Sequence, residues 1–282
     1  MSESPEAWRK PLLSQTIPVK RRSEAHEGLQ NRSIRIKDSE FIGGGSSGVV
    51  RALEADIVLR PRFLDDPRGW FSPKVRELKG FALKIIRTDR LGEALESYSL
   101  CRDAGLTVPT TYRHLELRDG RSAVLMPDLR KNGYAVAQLD GAQPEASRPT
   151  DRMERIENFS ALLKSVFDDV MLASHYKTHG ILLGGDSIFF LMPQAGGIGD
   201  VKHIFADFDR MHEQEKRNSA TLAPFAGRAG EYQQEVTRIN IEAIKHVFEA
   251  FIERFVDENV AGDYLSQLTS YVETSTSVRK IR

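Results

Sequence analysis

The chain has 282 residues, with 40 Lys plus Arg balanced by 40 Asp plus Glu, and one cysteine, Cys101. That balance argues against a general nucleic-acid binder, which carries a basic excess. A lone cysteine excludes an intrachain disulfide framework and speaks against a cysteine zinc site. The composition, 40% apolar and 28% charged, is that of a globular chain long enough for one large domain or two lobes.

Residues 1–33 are polar, with basic clusters such as "VKRR" and no sustained period, and are predicted to form a flexible tail. Trp8, Leu12 and Leu13 are its candidate docking residues for a protein partner. The opening residues lack an apolar signal core. No run reaches the roughly 20 apolar residues that a membrane helix needs. The expected compartment is cytoplasmic, or the interior of a host cell.

"SIRIKDSEF" alternates apolar with polar, as a strand does, and runs into "FIGGGSSGVV". Gly43, Gly45 and Gly48 have the spacing G-x-G-x-x-G, with Ser46 and Ser47 at the tip and Val50 two residues on. The following "GVVRAL" reads equally as strand or helix. Residues 54–79, with prolines 61, 67 and 73, read as an insertion or long loop. "GFALKIIR" is a strand carrying Lys84, and residues 89–106 form a helix with Glu93 and Glu96. "TYRHLELRDGRSAVLMPDL" gives two strands around the Asp119-Gly120 turn.

Residues 130–150 read as linker and loop, and helical spacing begins after Asp151, in Ile156, Phe159, Leu163, Val166, Phe167 and Val170. "DSIFFLMP" and "VKHIFADFD" form a hairpin that ends on Asp207 and Asp209. "HGILLGGD", with His179 predicted as a satisfied core histidine, precedes it and ends on Asp186. A long helix over 231–257 and a short final helix complete the chain.

Two nucleotide folds use this glycine spacing. A dinucleotide fold needs strand, turn and helix, with an acid about 20 residues on. Asp56 comes too early for that role, and the later half is not a run of strand-helix units. A flap over ATP keeps strands on both sides of the glycines and adds the valine, here Val50. Lys84 on a nearby strand supplies charge for phosphates. Asp186 and Asp207 are oxygen donors of the kind Mg2+ takes.

Taken together, residues 34–212 resemble the protein-kinase-like superfamily, which includes aminoglycoside and choline kinases. The resemblance implies an α+β, two-lobed protein-kinase-like fold with a strand-rich N-lobe over 34–130 and a small helical C-lobe over 131–282. It implies an ATP and Mg2+ site. Gly43, Gly45, Ser46, Ser47, Gly48 and Val50 cover the phosphates, and Lys84 is oriented by Glu96 or Glu93. Met126 to Asp128 form the hinge to adenine, and Asp186 and Asp207 are the metal ligands. Asp207, Phe208 and Asp209 match the family's metal motif.

The chain departs from the family at Ile181, where the catalytic aspartate is expected, two residues after His179. An isoleucine cannot accept a proton. The expected functions are therefore an atypical phosphotransferase acting on a protein or small-molecule hydroxyl, with Asp186 or Asp209 as base, or a nucleotide-binding pseudokinase scaffold. A kinase-fold enzyme transferring another part of ATP, such as the adenylyl group, is the third.

Overall fold

A computed structural model describes residues 14–18, 31–44, 48–60, 74–137, 139, 149–208 and 211–277. The chain is α+β and divides into two compact units, one of Met1–Asp89 with Thr110–Asp128, the other of Arg90–Pro109 with Leu129–Arg282.

The first unit is a curled antiparallel sheet. Its strands are β1 (Gln15–Pro18), β2 (Asn31–Gly44), β3 (Gly48–Arg60), β4 (Lys74–Leu78), β5 (Phe81–Ile86), β6 (Arg113–Glu116) and β7 (Ser122–Pro127). They run in the order β1-β2-β3-β5-β7-β6, with β4 also paired to β3. One face carries a core of Ile34, Ile36, Leu83, Ile85, Ala123 and Leu125, among others. Period-2 alternation puts the residues between them on the other face.

Two expectations fail here. Gln15–Pro18 lies in the predicted tail, yet pairs with Ser33–Ile36 and buries Ile17. The 54–79 stretch, read as a loop, carries the second half of β3 and all of β4. The three prolines fall within residues 61–73, which lie outside the described residues, while the apolar alternation Leu53, Ala55, Ile57 before them belongs to β3.

Of the second unit's elements, α1 (Thr88–Asp103) begins at the boundary between units. A three-stranded sheet follows the order β12-β10-β8, from β8 (Tyr134–Ala137), β10 (Ile188–Pro193) and β12 (Lys202–Phe205). A parallel pair joins β9 (Met153–Ile156) and β11 (Gly197–Gly199). The helices are α2 (Phe159–Ser174), α3 (Met211–Leu222), α4 (Ala229–Phe255) and α5 (Glu258–Ser277).

Aromatic side chains fill the space between α2, α4, α5 and β10. Phe190 stacks on Phe251 at 4.5 Å between ring centres, and Phe159 meets Phe248 at 5.8 Å and Tyr264 at 4.3 Å. The predicted linker contains β8, which pairs with β10. The last helix, read as short, has 20 residues. No helix among the described residues is long and apolar enough to cross a membrane.

Candidate functional site

The glycine turn is the tip of the β2–β3 hairpin. Gly43 pairs with Val50 and Gly44 with Val49, antiparallel, and the chain leaves the turn as a strand. That geometry lacks the helix a dinucleotide turn requires. Gly45, Ser46 and Ser47 lie outside the described residues. Gly48 is glycine for a packing reason: a Cβ there would overlap the Ile85 carbonyl oxygen on β5.

Val50, Lys84 and Val124 are consecutive cross-strand partners on β3, β5 and β7. Directly paired residues share a face. Lys84 therefore sits on Val50's face, opposite Leu83 and Ile85 in the core, and is 6% exposed. Ala82 pairs with Met126, so Met126 belongs to the same face. Asp128 is half-buried, and its N–H is already donated to Gly80 O at 3.0 Å.

The two candidate partners of Lys84 lie on α1. Glu93 is half-buried and paired with Arg90 at 3.3 Å, whereas Glu96 is exposed. Both belong to the second unit, and Lys84 belongs to the first.

In the second unit the chain turns sharply after α2. Gly180 has φ +66, and a Cβ there would lie 2.5 Å from Ser174 O, so only glycine fits. His179 is exposed, with Nδ1 2.8 Å from Thr178 Oγ1 and its ring edge-on to Tyr232. This corrects its reading as a core histidine: the turn points the ring outward. Ile181 is the buried residue, 7% exposed.

Asn240 of α4 organises this loop. Its Oδ1 accepts the Leu183 N–H at 2.8 Å, and its Nδ2 donates to Ile181 O at 2.8 Å and Ser174 Oγ at 3.0 Å. Sequence reading missed it. Its signal was a polar residue on the stripe of Val236 and Ile244, four residues either way.

The loop then passes Gly185, where a Cβ would lie 2.5 Å from Val247 Cγ2, and enters β10. Ile188 pairs with Phe205, and the Ala206 N–H donates to Ser187 O at 2.9 Å. Asp186 and Asp207 are the next residues outward from that end of the hairpin, and both are half-buried. Among the described residues no group of three or more His, Cys, Asp or Glu is placed to hold a metal. Mg2+ needs no such cage: one or two carboxylates suffice when phosphates complete its shell. Asp209 lies outside the described residues.

β12 is itself anchored. His203 Nε2 lies 2.9 Å from Asp169 Oδ2 in a buried pair, and the same oxygen accepts the Thr107 N–H at 2.9 Å. Thr107 O in turn accepts the Phe205 N–H at 2.8 Å. Asp169 is another polar residue set in an apolar helical stripe. Cys101 is fully buried, with its sulfur 3.7 Å from Met211 Sδ. Burial, and then the Asp169 charge, push its thiol from 9.0 to about 12. Phe208, directly after Asp207, is buried edge-on against Tyr98 of α1 at 5.5 Å.

No protein-family model matches the chain, and no curated protein matches it in sequence.

Proposed function

We propose that the chain is an ATP-dependent phosphotransferase of the protein-kinase-like kind, transferring the γ-phosphate to a protein or small-molecule hydroxyl. The observation that carries this reading is the β10–β12 hairpin, which brings Asp186 and Asp207, 21 positions apart in sequence, to one end. Carboxylates at one end of a hairpin are oxygen donors of the kind a divalent cation takes from protein while phosphates complete its shell. Mg2+ on a nucleotide's phosphates is that cation.

The first unit supports the same reading with a glycine-tipped antiparallel hairpin and a buried lysine on the face of Val50. In this reading Lys84 meets phosphate charge, Asp186 and Asp207 hold Mg2+, and the backbone near Gly43–Gly48 covers the phosphates. Phosphoryl transfer asks mainly for positioning and charge stabilisation. Asp186 or Asp209 then takes the acceptor's proton.

A second reading, a pseudokinase scaffold, is favoured by Ile181. Its backbone is fixed by Ala173 O and Asn240, and its side chain is buried, so no proton acceptor stands there.

The test has two steps. ATP with Mg2+ is expected to raise the melting temperature of wild type but not of Asp207→Ala, and NAD or FAD is expected to have no effect. Stabilisation by NAD or FAD alone defeats the proposal. Mass spectrometry after incubation with ATP, Mg2+ and candidate acceptors is expected to show an added phosphate. ATP binding without any added mass selects the scaffold, and an added adenylyl mass selects nucleotidyl transfer.

A further inference from the structure

Arg51 of β3 is a charged side chain only 8% exposed. Its Nε donates to Ser39 Oγ at 2.9 Å and its Nη2 to Ser39 O at 3.0 Å, both neutral oxygens. Ser39 pairs with Leu53 and Phe41 with Arg51, so Ser39 and Arg51 are diagonal neighbours on one face of the β2–β3 hairpin. Among the described residues, β1 pairs with Ser33–Ile36. Ser39 is half-buried and its neighbours Asp38 and Glu40 are exposed.

A second guanidinium acts on the first. Arg121 is close enough to Arg51 to repel it, although its own charge is bound to Asp119 at 2.6 Å. Burial first, and then Arg121, pull the Arg51 guanidinium below its ordinary range, with Asp38 opposing them. A buried cation held by neutral acceptors is costly, and an anion delivered to it offsets that cost. The group in contact with Arg51 is a serine hydroxyl, the side chain on which a phosphoryl group can be placed.

We propose that Ser39 is a phosphorylation site whose phosphate is bound by Arg51, with Arg121 adding positive potential. A nucleoside triphosphate supplies the group. The Ser39 Oγ–P bond forms, the bond from the γ-phosphorus to the bridging oxygen breaks, the nucleoside diphosphate leaves with that electron pair, and the hydroxyl proton passes to solvent. The product carries nearly two negative charges and three acceptor oxygens facing a fork of donors. It ties β2 to β3 at the Phe41–Arg51 level, next to the Gly43–Val50 pair. Where that hairpin covers a nucleotide, which rests on the function proposed above, the tie sets the stiffness of its base.

The experiment installs phosphoserine at position 39 of the full chain during translation, so it does not depend on the chain's own activity. The modified protein is expected to melt at least about 2 °C above the unmodified one. The gain should vanish in Arg51→Gln and persist in part in Arg51→Lys. 31P NMR gives a reading independent of folding yield. The phosphate is expected to titrate below the value of about 6 usual for phosphoserine, because a guanidinium favours its dianion. The Ser39 peptide from cells that make this chain naturally is expected to carry a phosphate mass. An unchanged or lowered Tm, an ordinary phosphate titration, or a Ser39 peptide wholly unmodified in those cells overturns the proposal.

Discussion

Asn240 and Cys101 show how single buried side chains set the local structure around the candidate site. Asn240→Leu keeps the volume but leaves the Leu183 N–H and the Ile181 carbonyl without their side-chain partner. The expected cost is about 2–4 kcal/mol in urea denaturation, since each orphaned buried group carries its desolvation penalty. A loss under about 0.5 kcal/mol, the range of ordinary surface changes, would show that the loop does not depend on this residue. Cys101 gives a pH effect of defined sign. Its folded thiol titrates at about 12 against an ordinary 9.0, so the folded state holds the proton longer. The resulting stabilisation is complete below pH 9.0 and is lost as pH rises from there towards about 12. Subtracting the stability of Cys101→Ala from that of wild type should therefore give a flat line up to pH 9.0 and a falling one beyond. A flat difference throughout would mean that the thiol is not shielded. The position of Asp186 and Asp207 beside the paired strands was legible in sequence because each flanks an apolar run. Asn240 and Asp169 were not, because a polar residue inside a helical stripe shows a partner is needed without saying which one.

At the scale of elements, the β2–β3–β5 ladder separates two reasons for a glycine. Gly48→Ala drives a methyl into Ile85 O, a backbone atom that cannot rotate away, whereas Gly44→Ala meets its nearest atom, Gly48 O, at 3.1 Å. The first change is expected to cost about 1–3 kcal/mol, in the range of overpacked sites, and the second clearly less. Thermal melts of the two variants check this ordering, and equal losses would contradict the register. The comparison also means that lost nucleotide binding in Gly48→Ala would not by itself assign the turn to phosphate. β5, α1, the β6–β7 pair, the β10–β12 hairpin and α4 were readable because each is a long or strictly periodic run with marked ends. β1, β4, β8 and β9 were not. They are short and lack the marked turn or long apolar run that flanks β6 and β12, so their pairing with distant strands, rather than their own pattern, defines them. The glycine turn was ambiguous for a related reason. "GVVRAL" suits either structure locally, and β5 decides it as a strand by pairing with Gly48–Ala52.

At the scale of the whole molecule, the function proposed above assigns roles to Lys84, which belongs to the first unit, and to Asp186 and Asp207, which belong to the second. α+β character was legible from a strand-rich first half and a helix-rich second half. A nucleotide meeting residues of both units, as the proposal requires, would have no signature in either half, because a ligand leaves no periodic pattern. It would have a thermodynamic one. If Lys84 and Asp207 act on one Mg2+-nucleotide, each of Lys84→Met and Asp207→Asn removes most of the stabilisation by ATP with Mg2+. The double variant then loses little more than either alone, because the second change removes a contact to a ligand already released. Sites acting on separate events would instead contribute additively, within about 0.3–0.5 kcal/mol. Melting temperatures of the four proteins across an ATP series, converted to binding free energies, measure the coupling. A coupling beyond that additive range is expected. Additive losses would assign the lysine and the carboxylates to different roles, and a single nucleotide would no longer account for both.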